Sequence, residues 1–189
     1  MKLLAYEVDK RSFLGIFNED ETWVYPISAA GMEYRSMKDL IREAGPSEME
    51  MLDYISKKAP GDVTGAAPVE EIKIVSPIPE PDQDIICLGI NYMDHAAESA
   101  RFQKEEFARP EKAIYFSKRV NRTNDPDGII PAHKNLTNQL DYEAELAVII
   151  KKDAKDVKPE EVKDYIFGYT IMNDVSAREV QTEHKQWYF

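Results

Sequence analysis

The stretch that most constrains this chain runs from Leu140 to Lys151, where charged and apolar residues first alternate one by one. Side chains on a strand point alternately to its two faces. Asp141, Glu143 and Glu145 therefore share one face, and Leu140, Tyr142, Ala144 and Leu146 the other. Neighbouring carboxylates on one strand face lie ~7 Å apart, and glutamate is depleted in strands. A chain that keeps them there must offset their repulsion. Solvent on the wet face of an amphipathic strand does so, and for this strand alone it is the simpler account. A hard cation with oxygen ligands, Mg²⁺ or Mn²⁺ or else Ca²⁺, does so as well.

Elsewhere the texture is that of short strands with a few helices. Leu3 to Val8, Phe13 to Phe17 and Trp23 to Ile27 are β-rich runs parted by charged turns. Ser36-Met37-Lys38-Asp39 is a capping-box pattern that predicts a helix, with Gly45 as its stop. Ser47-Glu48-Met49-Glu50 predicts a second start, with Met51, Leu52 and Ile55 behind it and Pro60-Gly61 as its end. Ile72 to Val75 reads as a strand. Ser76-Pro77-Ile78-Pro79-Glu80-Pro81 is a stiff extended connector, which places a domain boundary there. Beyond it, Asp84 to Leu88, Ala113 to Lys118, Gly128 to Pro131 and Phe167 to Asn173 read as strands. Asn91 to Ser99 and Pro159 to Ile166 read as helices, and Ser176-Ala177-Arg178-Glu179 as the cap of a further one. This alternation predicts an α+β fold that is mainly β, with helices around a mixed or antiparallel sheet.

Two further groups carry chemistry. Asp174 stands at the end of the apolar run Phe167 to Asn173, just before the helix expected after Ser176. A carboxylate there is placed for site chemistry, or else simply caps the helix. In Asn91-Tyr92-Met93-Asp94-His95-Ala96-Ala97-Glu98, His95 and Glu98 are three apart and share a helix face. A carboxylate beside an imidazole orients it and raises its basicity, as a general base requires. A surface His–Glu pair would look the same. His133 and His184 have no such neighbours and read as surface residues.

Composition narrows the function classes. The formal net charge of −11 argues against a nucleic-acid or anionic-membrane partner, both of which need a basic face. It leaves open an anionic substrate, because a bound cation reverses the local field. Cys87 is the only cysteine, which rules out an intrachain disulfide and fits a reducing, cytoplasmic setting. No apolar run approaches the ~18 residues of a membrane span, and Met1 to Glu7 has no signal-peptide pattern.

The motifs taken together resemble the fumarylacetoacetate hydrolase family. The matching stretches are Gly89-Ile90-Asn91-Tyr92 with His95 and Glu98, then Phe116-Ser117-Lys118, and Asp141-Tyr142-Glu143-Ala144-Glu145-Leu146. They continue in Gly168-Tyr169-Thr170 and in Asn173-Asp174-Val175-Ser176-Ala177-Arg178-Glu179-Val180-Gln181. Their order and spacing are specific, and they cover roughly Asp84 to Phe189. The resemblance implies a mixed β-sandwich roll, usually in a homodimer. Residues 1–80 would form a small N-terminal α/β domain and linker, and residues 81–189 the N-terminal part of the catalytic domain. It implies Glu143, Glu145 and Asp174 as ligands of Mg²⁺ or Mn²⁺, and His95 with Glu98 as a dyad on a lid that activates water. It implies contacts from Arg178 and Gln181 to the substrate.

The activity it implies is metal-dependent cleavage of a carbon–carbon bond in an acylpyruvate-type 2-oxo acid, through an enolate stabilised by the cation. Decarboxylation, isomerisation and hydration of a 2-oxo acid on the same site are the alternatives. A cation-binding domain without catalysis, or an inactive fragment, is the non-enzymatic one. Family members continue past this point with a Gly-Lys-Ser-like segment and further strands. The expectation is therefore a longer protein that supplies them.

Overall fold

The computed structural model describes residues 1–90, 92 and 112–189. The helix expected over Asn91 to Ser99, with His95 and Glu98, lies outside the described residues. The chain divides into two compact units. One comprises Met1–Pro79, Thr123–Ile130 and Leu146–Ile171, and the other Glu80–Arg122, Pro131–Glu145 and Met172–Phe189.

The first unit is built on a five-stranded antiparallel sheet. Its strands are β1 (Leu3–Val8), β2 (Arg11–Phe17), β3 (Trp23–Pro26), β4 (Ala67–Pro68) and β5 (Lys73–Val75), in the order β4-β3-β2-β1-β5. Val8 pairs with Arg11 across the two-residue turn Asp9-Lys10. Both turn residues have left-handed backbones, φ 49° and 63°, as a type I′ hairpin turn requires to match the twist of its strands. Ile16, Tyr25, Leu40 and Leu52 are wholly buried in the core between the sheet and the helices α1 (Met37–Glu43) and α2 (Pro46–Ser56). The buried Tyr25 hydroxyl finds a partner by donating to the Lys58 carbonyl at 2.8 Å.

Helix α1 starts as expected, with the Asp39 N–H donating to Ser36 Oγ at 3.2 Å. The start of α2 differs from the expectation. Pro46 takes the first helical position, Gly45 is the N-cap, and Glu48 Oε2 accepts from the Gly45 N–H at 2.8 Å. Proline has no N–H to lose there and a φ already set for a helix. Gly45 therefore opens α2, and Ala44 closes α1. Glu48 also accepts the Tyr34 hydroxyl at 2.6 Å, a bond that with partial burial pushes the phenol up to about 12.

The remaining strands are β6 (Ile85–Gly89), β7 (Ile114–Lys118), β8 (Leu140–Asp141), β9 (Ala144–Ile150), β10 (Ile166–Asn173) and β11 (Ser176–Ala177). They pair as β6 with β7, β8 with β11, and β9 with β10. The single strand expected from Leu140 to Lys151 is thus two, interrupted at Tyr142-Glu143. The strand expected over Gly128 to Pro131 is absent. There the Gly128 N–H closes a turn on the Asp125 carbonyl at 2.9 Å, and the Asn124 amide donates to the Ile129 carbonyl at 3.1 Å. Pro131 has no N–H to give a ladder. Pro159 opens a short 3-10 helix, Pro159–Asp164. Helix α3 (Arg178–His184) follows β11. Among the described residues no helix is long and apolar enough to cross a membrane.

Gly15 on β2 is a tight point of the five-stranded sheet. A Cβ there would lie 2.8 Å from Val24 Cγ1 and 2.9 Å from both the Tyr25 carbonyl oxygen and Tyr6 Cε1. We expect Gly15→Ala to destabilise this unit by about 1–3 kcal/mol, the usual cost of overpacking. Urea unfolding followed by circular dichroism measures it, and a midpoint equal to wild type would contradict the packing described.

Candidate functional site

The acidic face of the Leu140–Lys151 run is the sheltered one. Asp141, Glu143 and Glu145 are half-buried, whereas Tyr142 is 78% exposed and Leu146 60%. A solvated carboxylate face would show the reverse. Protein groups share with solvent in compensating the charge, the side chain of Asp141 being 47% exposed and that of Glu143 21%.

The interruption between β8 and β9 lies opposite the interruption between β10 and β11. Across it the Asp174 N–H donates to the Glu143 carbonyl at 2.9 Å, and the Glu143 N–H to Asn173 Oδ1 at 3.2 Å. Ser176 pairs with Asp141 on the far side. The carboxylates of Asp141 and Glu143 then meet the guanidinium of Arg178. Its Nε and Nη2 both lie 2.9 Å from Asp141 Oδ2, and Nη2 lies 2.6 Å from Glu143 Oε1. Its Nη1 donates to Gln181 Oε1 at 3.2 Å. Burial works against the Arg178 charge, but the hydrogen bonds and charges of Asp141 and Glu143 outweigh it and hold the pKa above its ordinary value.

Asp174 has a different partner. Its Oδ1 lies 3.0 Å from Lys118 Nζ, in a pair whose side chains are only 7% and 13% exposed. Lys118 Nζ also donates to the Val175 carbonyl at 3.3 Å. Ser176, expected as a helix cap, instead donates its hydroxyl to Glu143 Oε1 at 3.2 Å and is 2% exposed. The N-cap of α3 is Ala177, without a side-chain bond. Glu179 on the first turn of α3 accepts from Thr137 Oγ1 at 2.8 Å and from the Asn138 N–H at 2.7 Å, tying the helix to the segment before β8.

Glu143, Asp174, Arg178 and Gln181 are thus joined through shared hydrogen bonds and ion pairs, with Glu145 two residues along from Glu143. His95 and Glu98 lie outside the described residues. As placed, Glu143 and Asp174 face protein cations. Among the described residues no group of three or more His, Cys, Asp or Glu side chains is arranged to hold a metal ion. The donor chemistry is that of a hard cation, all carboxylate oxygen. Arg178 and Lys118 must give way for two of those oxygens to turn to one. Lys118 and Asp141 carry the site's charge balance although no role was read for them from the residues. The available signal was a lysine on the inner face of β7, in step with Ile114 and Phe116.

The family model for the fumarylacetoacetate (FAA) hydrolase C-terminal domain matches residues 84–189. The chain belongs to the fumarylacetoacetate hydrolase family. It is 41% identical over 198 aligned positions to the oxaloacetate tautomerase YisK of Bacillus subtilis (strain 168), covering 100% of this chain and 64% of that protein. Among solved structures it is similar to a fumarylacetoacetate hydrolase from psychrophilic Exiguobacterium antarcticum, with TM-score 0.71 and 29% identity. That match covers 100% of this chain and 60% of the other. It shares the fold of a maleylpyruvate hydrolase from Sphingobium sp. SYK-6, solved with manganese(II) and pyruvate, with TM-score 0.63 and 24% identity over 99% of this chain and 62% of that one. The chain therefore spans less than two thirds of these relatives, and its architecture is the mainly β fold of the family.

Cys87 on β6 lies close enough to feel this cluster. Burial, then the charge of Asp174, pushes its thiol up to about 11. The raised value favours the protonated form in the folded chain, so thiolate stays scarce until the pH approaches that value. We expect iodoacetamide to label Cys87 at pH 9 at least several-fold more slowly than it labels the urea-unfolded chain. Equal rates would show that neither burial nor the charge of Asp174 raises the thiol pKa.

Proposed function

We propose that the protein containing this chain is an enzyme acting on a small 2-oxo acid at the cluster of Glu143, Glu145, Asp174, Arg178 and Gln181. The observation that carries the reading is the juxtaposition in one half-buried place of oxygen ligands with a guanidinium fork. The first group suits a divalent cation and the second a carboxylate. Glu143, Glu145 and Asp174 would hold the cation, which when bound supplies electrophilic stabilisation of charge developing on the 2-oxo group. Manganese in the maleylpyruvate hydrolase, whose fold this chain shares, makes Mn²⁺ the first ion to try.

The chain's own residues do the rest. Arg178 presents paired N–H groups to the substrate carboxylate, and Gln181, bonded to it, limits its rotation. Gln181 is itself fixed by donating to the Trp187 carbonyl at 3.0 Å. His95, which the resemblance pairs with Glu98, would take the proton. In hydrolysis of an acylpyruvate that proton comes from the attacking water. The bond between the distal carbonyl and the pyruvyl CH₂ breaks, its electron pair forming the enolate of pyruvate. In keto–enol tautomerisation of oxaloacetate the proton comes from C3, the electron pair moves onto the 2-oxo oxygen, and that oxygen takes up a proton. The tautomerase relative, 41% identical along the whole of this chain, favours the second reaction. Decarboxylation and hydration have no comparable support.

The intact protein, stripped with EDTA and reloaded with Mn²⁺, distinguishes these. Ultraviolet decay of enol-oxaloacetate reads tautomerisation, and pyruvate release from an acylpyruvate reads hydrolysis. We expect Mn²⁺-dependent tautomerisation that falls by ~10²–10⁴-fold in His95→Ala with Mn²⁺ affinity unchanged. Inactivity of the Mn²⁺-loaded protein on both substrates would overturn the reading. Wild-type turnover in His95→Ala would remove that residue from it.

A further inference from the structure

We propose that Arg178 is the place-holder for the cation. Its guanidinium bridges Asp141 and Glu143 until a divalent ion displaces it from Glu143, and only then turns to the substrate carboxylate. The inference rests on the reading of Glu143 as a cation ligand and adds an order of binding to it.

Three observations carry it. Arg178 Nη2 lies 2.6 Å from Glu143 Oε1, which places a full positive charge against one of the oxygens a cation would need. The same guanidinium has a second anchor, because Nε and Nη2 both reach Asp141 Oδ2 at 2.9 Å. Loss of the Glu143 contact therefore leaves Arg178 tethered beside the site. Asp141 is itself fixed by β8 pairing with β11, Ser176 opposite Asp141 and Ala177 opposite Leu140. Arg178 thus has two anionic claims on it, one on a carboxylate that competes for a metal and one on a carboxylate without a ligand role. A cation that binds Glu143 withdraws only the first.

Charge balance gives the exchange its direction. A divalent ion brings two charges to carboxylates that Arg178 meets with one, and the Nη2 N–H freed from Glu143 keeps its hydrogen-bond demand. An incoming carboxylate satisfies that demand with the paired geometry the guanidinium prefers. Cation and substrate are then coupled through one residue. Each raises the affinity for the other, by the reciprocity that binding free energies obey. Asp141 becomes a positioning residue, keeping Arg178 within reach after the exchange.

The test uses Mn²⁺ binding to the intact protein, read by electron paramagnetic resonance of free Mn²⁺, beside the ¹⁵N–¹H signal of Arg178 Nε on addition of diamagnetic Mg²⁺. Arg178→Lys keeps the charge but lacks the Nε–H and Nη2–H pair that fixes the group between Asp141 and Glu143. It should bind Mn²⁺ about tenfold more tightly than wild type, the size of one charge-assisted hydrogen bond that no longer has to be broken. In wild type the Arg178 Nε–H resonance should shift as Mg²⁺ saturates the site. Mn²⁺ affinity in Arg178→Lys equal to or weaker than wild type would overturn the place-holder role, and so would an Arg178 signal unmoved by Mg²⁺. The signal alone decides if the variant does not fold. Wild type that binds no Mn²⁺, or Glu143→Gln that binds it as well as wild type, would instead overturn the ligand reading itself, and the exchange with it.

Discussion

The second unit is organised by the need to neutralise carboxylates gathered in partly buried places. Asp141, Glu143 and Asp174 are drawn together by backbone pairing, and Arg178 and Lys118 are the cations that meet them. Lys118 and Asp174 form the most buried of these contacts. Desolvating both partners offsets much of their attraction, so such a pair adds little net stability. Removing one partner is another matter, because it strands a buried charge at a cost of about 3–5 kcal/mol. The pair therefore acts as a constraint on where Asp174 can be. It ties the end of β10 to β7, and the bond from Lys118 to the Val175 carbonyl holds the following residue as well.

This constraint explains an inversion that a pattern of alternating residues does not reveal. Periodicity says which side chains share a face, and it grouped Asp141, Glu143 and Glu145 correctly. It does not say which face turns inward, and hydrophobicity would have turned the other one in. In the second unit Ile86 is 73% exposed and Tyr115 67%. In the first, Ile150 is 53% exposed, and on β10 Tyr169 is 63% and Ile171 82%. Ile149 and Phe167, also on β9 and β10, pack against the core of the first unit. Charge compensation by residues distant in sequence decided the orientation of the acidic face. Lys118 is 56 residues from Asp174 along the chain and Arg178 is 37 from Asp141, separations no local pattern spans.

Local signals were legible where local chemistry governs. The β-rich runs at the N-terminus became β1 to β3, and Ser36 capped α1 through the bond its side chain invites. They failed where two local rules competed. Ser47-Glu48-Met49-Glu50 satisfies a capping pattern, yet Pro46 at the first helical position set the register two residues earlier and gave Glu48 the role expected of Glu50. Ser176 satisfies another, yet a serine beside a half-buried carboxylate does more by donating to Glu143 than by capping α3. That Glu143, Asp174, Arg178 and Gln181 lie near one another agrees with the resemblance, and the ion pairs between them were not legible in it. The matching stretches contain Lys118 and Arg178, but not their pairing with Asp174 and with Asp141 and Glu143.

The interruption of the strands is what makes a site out of this arrangement. An unbroken ladder from Gln139 to Lys151 would continue the even alternation of the acidic face and leave each carboxylate a full residue pair from its neighbour. Instead β8 pairs with β11 and β9 with β10. Between them the backbone of Glu143 is tied to the Asn173 side chain and the Asp174 N–H. The side-chain bond takes the place of a ladder bond for the Glu143 N–H. It also draws the Asp174 backbone onto that of Glu143 and sends the chain into β11. Two residues later Arg178 opens α3 with its own N–H on the Gln139 carbonyl at 2.9 Å, which brings its side chain back over Asp141 and Glu143. One displaced pairing thus sets Glu143, Asp141 and the guanidinium of Arg178 within a few ångströms of one another.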